Sequence, residues 1–142
     1  MRSLAFIGIA IVISISAKCQ YDKDIGIESV LKTDTTSIGE KIVYPTFQEN
    51  EVSILRITIP PGKSTGWHKH EFPVFAYVLK GVLTVEIENH KTLEFFENTS
   101  FSEVLGTYHS GTNNGTEDLV LIAFYMGEKG RSLSDHKEVI KK

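Results

Sequence analysis

Residues Gly62–Gly81 read GKSTGWHKHEFPVFAYVLKG, and the chain returns to histidine further on with His109-Ser-Gly-Thr-Asn113. Side chains alternate along a β-strand, so His68 and His70, two positions apart, project from the same side of a sheet. They can therefore reach one point in space. A third histidine, His109, arriving from another strand would complete half of a metal's coordination sphere. Imidazole suits zinc, copper, iron and nickel, and three such ligands leave positions open for water or substrate.

On either side of this stretch the sequence reads as short strands. Val52–Ile59 is rich in β-branched residues and is stopped by Pro60-Pro61-Gly62, because proline lacks the ladder donor and glycine permits the turn. Trp67–His70 is the next strand, Pro73 interrupts it, and Val74–Leu79 continues. In Val82–Glu88, Leu83, Val85 and Ile87 share one face and Thr84, Glu86 and Glu88 the other, the alternation of a sheet with one buried and one wet side. Asn89-His90-Lys91 turns the chain into further strands at Leu93–Phe96, Ser100–Val104, His109–Thr112 and Leu119–Met126. Towards the N-terminus, Ile25–Lys32 alternates weakly and predicts a first strand. Thr33–Gly39 is a turn-rich link, and Ile42–Tyr44 predicts a short edge strand ended by Pro45. Only Ser134–Lys142 is assigned to a helix. Short strands so closely spaced predict an all-β sandwich or barrel, between which pattern alone does not choose.

The chain has 142 residues, the length of one domain. Its 41% apolar and 10% aromatic content is that of an ordinary globular protein. A net charge of −3, with Lys141-Lys142 as the basic run, speaks against a nucleic-acid partner, which needs a basic face. The first nineteen residues differ in kind. Arg2 precedes the apolar run Leu4–Ile15, and Ser16-Ala17-Lys18-Cys19-Gln20 follows. This is the pattern of a secretory signal peptide cut near Cys19/Gln20, with Ala17 and Cys19 at the positions that want small residues, and it predicts a periplasmic or secreted protein. The run is too short for a membrane span, and none is expected in the mature form. A rival reading makes Cys19 the lipid-bearing residue of a lipoprotein, but that reading wants a small residue where Lys18 stands. Removal of residues 1–19 leaves no cysteine, hence no disulfide, thiol nucleophile or thiolate metal site.

The histidines and their flanking glycines resemble the two motifs of the cupin superfamily, in the manner of its small single-domain members. The first motif reads Gly, five residues, His-x-His, three or four residues, Glu, six residues, Gly. Gly62, His68, His70 and Gly81 fall in register, and Val74 stands where the motif has Glu. The second reads Gly, five residues, Pro-x-Gly-x-x-His, three residues, Asn. Gly106, His109 and Asn113 fit, while Asn98 replaces the first Gly and Val104 the Pro. The resemblance runs from roughly Ile54 to Met126. It implies a double-stranded β-helix, or jelly-roll barrel, spanning residues 46–130, preceded by an N-terminal strand and linker segment over 20–45 and followed by a tail over 131–142. It also implies a homodimer paired through the outer sheet, with Ile42–Tyr44 as an exchanged or interface element.

The resemblance further implies one divalent transition metal (Fe, Mn, Ni, Zn or Cu) held by His68, His70 and His109. Val74 cannot coordinate, so either three histidines suffice or a carboxylate enters from elsewhere. Glu103 is the candidate, as ligand or as general base. It shares strand parity with the apolar Phe101, and an acid on an inner face is costly unless it is paired or metal-bound; the opposing reading has it solvated on an outward face. Glu71 follows His70 directly and should point the other way. Tyr108, beside His109, is a candidate proton donor or pocket-mouth residue. His90 and His136 read as exposed, Trp67, Phe75 and Tyr77 as packing or interface residues, and Asn113 as a satisfier of backbone groups.

Two functions fit. One is a metalloenzyme with dioxygenase-like or isomerase/lyase chemistry on a small oxygen-rich molecule. The other is a non-catalytic module that binds a small molecule. The inner wall discriminates between them, since an enzyme needs an accessible metal with polar groups converging on its open side, and a binding module or relic would have those positions plugged.

Overall fold

The computed structural model describes residues 24–137; the expected leader, residues 1–19, lies outside them, as does the far end of the expected C-terminal helix. Nine strands form among the described residues: β1 (Asn50–Ile59), β2 (His68–Lys69), β3 (Val74–Lys80), β4 (Val82–Ile87), β5 (Leu93–Phe96), β6 (Ser100–Ser102), β7 (His109–Thr112), β8 (Leu119–Glu128) and β9 (Asp135–His136). They assemble into two antiparallel sheets, ordered β1-β8-β3-β6 and β5-β4-β7-β2-β9. This is the all-β, two-sheet jelly roll that the resemblance implies. No described helix is long and apolar enough to cross a membrane.

Period-two alternation places the core. Val74, Ala76 and Val78 of β3, Leu83, Val85 and Ile87 of β4, and Leu119, Leu121, Ala123 and Tyr125 of β8 turn inward and are buried together. Burying one such aliphatic side chain stabilises by about 1.5–3 kcal/mol, so the alternation read from β4 sets which way that sheet faces. Gly81 turns β3 into β4 at φ 86°, and a Cβ there would lie 3.3 Å from the Leu119 Cα, so both backbone angle and space require glycine. Asn98, which replaces a motif glycine, holds φ 63°, a conformation asparagine tolerates better than most side-chain residues.

Three expected elements differ. Residues 25–32 and 42–44 carry no strand; among the described residues before β1 there is an isolated bridge between Thr35 and Lys41. Thr33 shapes the turn at that bridge. Its hydroxyl donates to the Thr35 carbonyl (2.8 Å) and accepts from the Thr35 N–H (3.0 Å), so the backbone groups are satisfied locally and not by a ladder. Ser134–Lys137 is not helical. Asp135 and His136 instead pair with Lys69 and His68, completing the open edge of β2.

Candidate metal centre

The strands bring the four candidate residues together by register. His68 lies directly across from His109 in the β2–β7 pair. His70 follows just beyond the end of β2, on the same side by alternation. Phe75 pairs with Ser102, and the Glu103 N–H then donates to the Val74 carbonyl at 2.9 Å. Glu103 therefore stands next to Val74 across the ladder. The carboxylate that Val74 cannot supply enters from the neighbouring strand, and Val74 itself is buried in the core.

The ligand atoms of His68, His70, Glu103 and His109 lie within 4.8 Å of one another and form a group that could hold a metal ion. Orientation matters as much as proximity. His68 donates from Nδ1 to the Gly66 carbonyl (2.9 Å), His70 to the Leu133 carbonyl (2.7 Å) and His109 to the Thr107 carbonyl (3.0 Å). A carbonyl oxygen only accepts, so each Nδ1 carries its hydrogen and each Nε2 is left to serve the centre. Backbone anchoring of the far nitrogen is the usual way in which a metal-binding histidine is held in tautomer and plane.

His70 tests the fit. Its Nε2 lies 2.8 Å from the Glu103 Oε2, yet the atom is buried and makes no hydrogen bond to any described residue. With Nδ1 protonated, that contact sets one lone pair against another, and a buried polar atom without a partner costs about 1–3 kcal/mol. A cation shared by the two atoms, a proton or a metal ion, removes both penalties. Three imidazole nitrogens and one carboxylate oxygen suit a divalent transition ion.

The electrostatics agree. Burial, the largest influence, disfavours charge on Glu103, but contact with the His109 and His70 imidazoles outweighs it and holds the carboxyl well below its ordinary range. Burial likewise opposes charge on His109, yet the Glu103 carboxylate, which accepts a bond from Nε2 at 3.0 Å, raises its pKa. Burial drives His68 down to about 4, so its imidazole is neutral at ordinary pH. His68 and Glu103 are thus in the forms that bind metal, neutral imidazole and ionised carboxylate, whereas His109, bonded through both ring nitrogens, holds a proton at Nε2 that a metal ion would displace.

Beside the cluster lies a cavity of about 180 Å³. Tyr108 does not line it. That side chain faces the other way from His109, and its ring meets the Lys69 and Lys137 ammonium groups at 5.9 and 5.3 Å. Tyr125 is the tyrosine that lines the cavity, with its ring centroid 5.6 Å from that of His70. Burial, reinforced by Glu103, pushes its hydroxyl up to about 12, so it keeps its proton. The alternation Leu119, Leu121, Ala123, Tyr125 could have flagged it. His136 also lines the cavity, although it is exposed, and its ring lies 5.9 Å from that of His68. No sequence signal marks it, because only the pairing of β9 with β2 brings it there.

The remaining residues are structural. Asn113 is buried and donates to the Ile59 and Glu117 carbonyls, both at 2.8 Å, as expected of a backbone satisfier. Glu71 faces solvent and pairs with Lys69 at 2.6 Å. His90 is exposed in its turn.

Several solved structures share this fold. The Bacillus halodurans protein BH2720 is 23% identical, with a TM-score of 0.51 over 60% of this chain and 69% of that one. The DMSP lyase DddQ from Ruegeria pomeroyi is 13% identical, with a TM-score of 0.53 over 60% of this chain and 42% of its own. Oxalate decarboxylase from Bacillus subtilis, a protein with Mn(II) centres, is 17% identical, with a TM-score of 0.53 over 60% of this chain and 23% of its own. No curated protein matches the chain. At these identities the likeness speaks for the fold alone. The cupin-domain family model matches residues 55–125, half of the chain and the part that carries all four clustered side chains, and so this chain belongs to the cupin family.

Proposed function

We propose that this protein is an extracytoplasmic metalloenzyme acting on a small oxygen-rich molecule by dioxygenase-like or isomerase/lyase chemistry. The observation that carries the reading is the anchoring of three histidine Nδ1 atoms on backbone carbonyls, with a buried, partnerless Nε2 on His70 facing Glu103. A divalent transition ion held by His68, His70, His109 and Glu103 would supply a Lewis acid and, if redox-active, a centre for oxygen chemistry. The residues themselves do the rest. The carbonyl anchors keep the imidazoles in place without reorganisation. Glu103 serves either as the fourth ligand or as a base, since a carboxylate committed to a metal is a poor base. Tyr125 holds its proton beside the cavity and can donate a hydrogen bond to a substrate oxygen.

The alternative, a non-catalytic binding module, predicts a plugged inner wall; the cavity beside the cluster and the proton-bearing hydroxyl within it favour the enzyme. The leader pattern of residues 1–19 supports export. An outward-facing apolar row on one sheet, in which Ile54, Phe124 and Phe75 stand side by side, supports a homodimer.

Elemental analysis of residues 20–142, purified without affinity tag or chelator, tests the centre. Near-stoichiometric iron, manganese, nickel, zinc or copper is expected, falling to background in His109→Ala. A protein that takes up none of these ions after incubation with each would overturn the reading.

A further inference from the structure

The wall of the cavity changes character with distance from the histidines, and it does so on both sheets. Along β8, Tyr125, Ala123 and Leu121 face the cavity in turn. Successive inward positions are about 7 Å apart along a strand, so the wall passes from a tyrosine ring beside His70 to bare methyl groups. Along β7, His109 is followed two positions on by Gly111, which pairs with Val85 of β4, and Leu83 comes next on that strand. Gly111 sits where a side chain would enter this space; a Cβ there would lie 3.0 Å from the Leu83 Cδ1.

The nearby cations are turned away. Lys69 is paired with Glu71 and Lys137 with Glu88 on the outer surface. Among the described residues that line the cavity, none is lysine or arginine. The polar side chain at this end is Thr65, whose hydroxyl already accepts from the Gly111 N–H and donates to the Gly66 carbonyl. A second negative charge or a hydroxyl-rich body placed against Leu83, Val85 and Leu121 would therefore lose more water than it gains in partners, at a cost of up to roughly 2–7 kcal/mol for a neutral polar group and more for a charge. An apolar body loses nothing there. An apolar cavity of about 150 Å³ accommodates a benzene-sized guest; the whole space here, cluster end included, measures about 180 Å³, which limits the apolar body to one ring or less.

We propose that the substrate has a single oxygen-bearing end, neutral or monoanionic, directed at the histidine–glutamate cluster, and a compact apolar body of about one six-membered ring that fills the space between Ala123, Leu121 and Leu83. Dicarboxylates and sugar derivatives are disfavoured by the same wall. This rests on the metal centre proposed above and adds the class of molecule that the centre receives.

Calorimetry on the cobalt(II)-loaded protein tests it with three probes: maltol, whose vicinal oxygens sit on a compact ring; oxalate, which chelates similarly but has no apolar body; and glucose 6-phosphate. Each affinity is divided by the probe's affinity for free cobalt(II) in the same buffer. Maltol is expected to be favoured over both others by at least about tenfold. Ala123→Leu, which fills the apolar part, should remove that advantage while cobalt content and oxalate binding stay unchanged; Gly111→Ala is the milder variant if the first does not fold. Oxalate or glucose 6-phosphate binding as well as maltol to a fully loaded protein would overturn the substrate class and leave the metal centre standing. Failure to load cobalt or any of the ions named above would overturn both, and the metal content measured before titration tells the two failures apart.

Discussion

The sheet containing β1, β8 and β3 and the sheet containing β2, β7 and β9 solve the problem of position differently. β1 and β8 pair residue for residue over their whole lengths, and β3 adds to the other side of β8. The register of β3 on β8 is held by buried aliphatic side chains, because a one-residue slip would turn that apolar row out to water; β1 follows β8 by its unbroken ladder, with Ile59 its buried residue. β2 and β9 are two residues each. Strands so short cannot hold their own register, yet His68 and His70 lie at one of them. Here the side chains are located individually, by hydrogen bonds from Nδ1 to backbone carbonyls that belong to three different segments. Regular pairing builds the wall of the cavity, and irregular, hydrogen-bonded chain aims its ligands.

If that division is right, the two regions can be damaged separately. The largest effect is expected in the long sheet. Leu119 is fully buried at the end of β8 remote from Tyr125, and Leu119→Ala should cost about 2–5 kcal/mol by denaturant titration while metal stoichiometry holds. Loss of metal at equal folded fraction would show that the regions are not separable. A smaller effect, on metal and on the edge of β2 that β9 covers, is expected from deleting residues 131–142. The deletion removes the Leu133 carbonyl that anchors His70, and metal affinity should fall by about 10–100-fold, read by chelator competition. An unchanged affinity would mean that the anchor is dispensable. The smallest effect belongs to the surface of β2. Glu71→Gln breaks an exposed pair with Lys69 and should change stability by under about 1 kcal/mol, with no change in metal content; a drop in metal content would assign Glu71 a part in the site.

Much of this was legible in the chain. The alternation of Leu83, Val85 and Ile87 gave the inward face of β4, and Pro60-Pro61-Gly62 the end of β1. The His-x-His spacing placed two imidazoles on one side, since strand periodicity is a local property. Glu103 was singled out by its parity with Phe101, which left an outward face open as the rival reading; its place beside Val74 across the ladder turns it inward. Tyr108 was the tyrosine that sequence adjacency suggested; adjacency on a strand in fact separates it from His109, because neighbouring side chains face opposite ways. The apolar residues of 25–32 resembled a strand, but a strand is stable only with a partner, and no described strand pairs with them.

The sequence by itself determined the all-β class, the cupin family, the three histidines and the candidate carboxylate, because each rests on spacing within a strand or a short motif. Only the tertiary structure decided that Glu103 meets His70 and His109 through one oxygen, that Tyr125 and not Tyr108 lines the cavity, and that β9 brings Leu133 and His136 to the site. Those placements depend on which strands pair. Pairing is set by the summed burial of residues far apart in the chain, which no local pattern encodes.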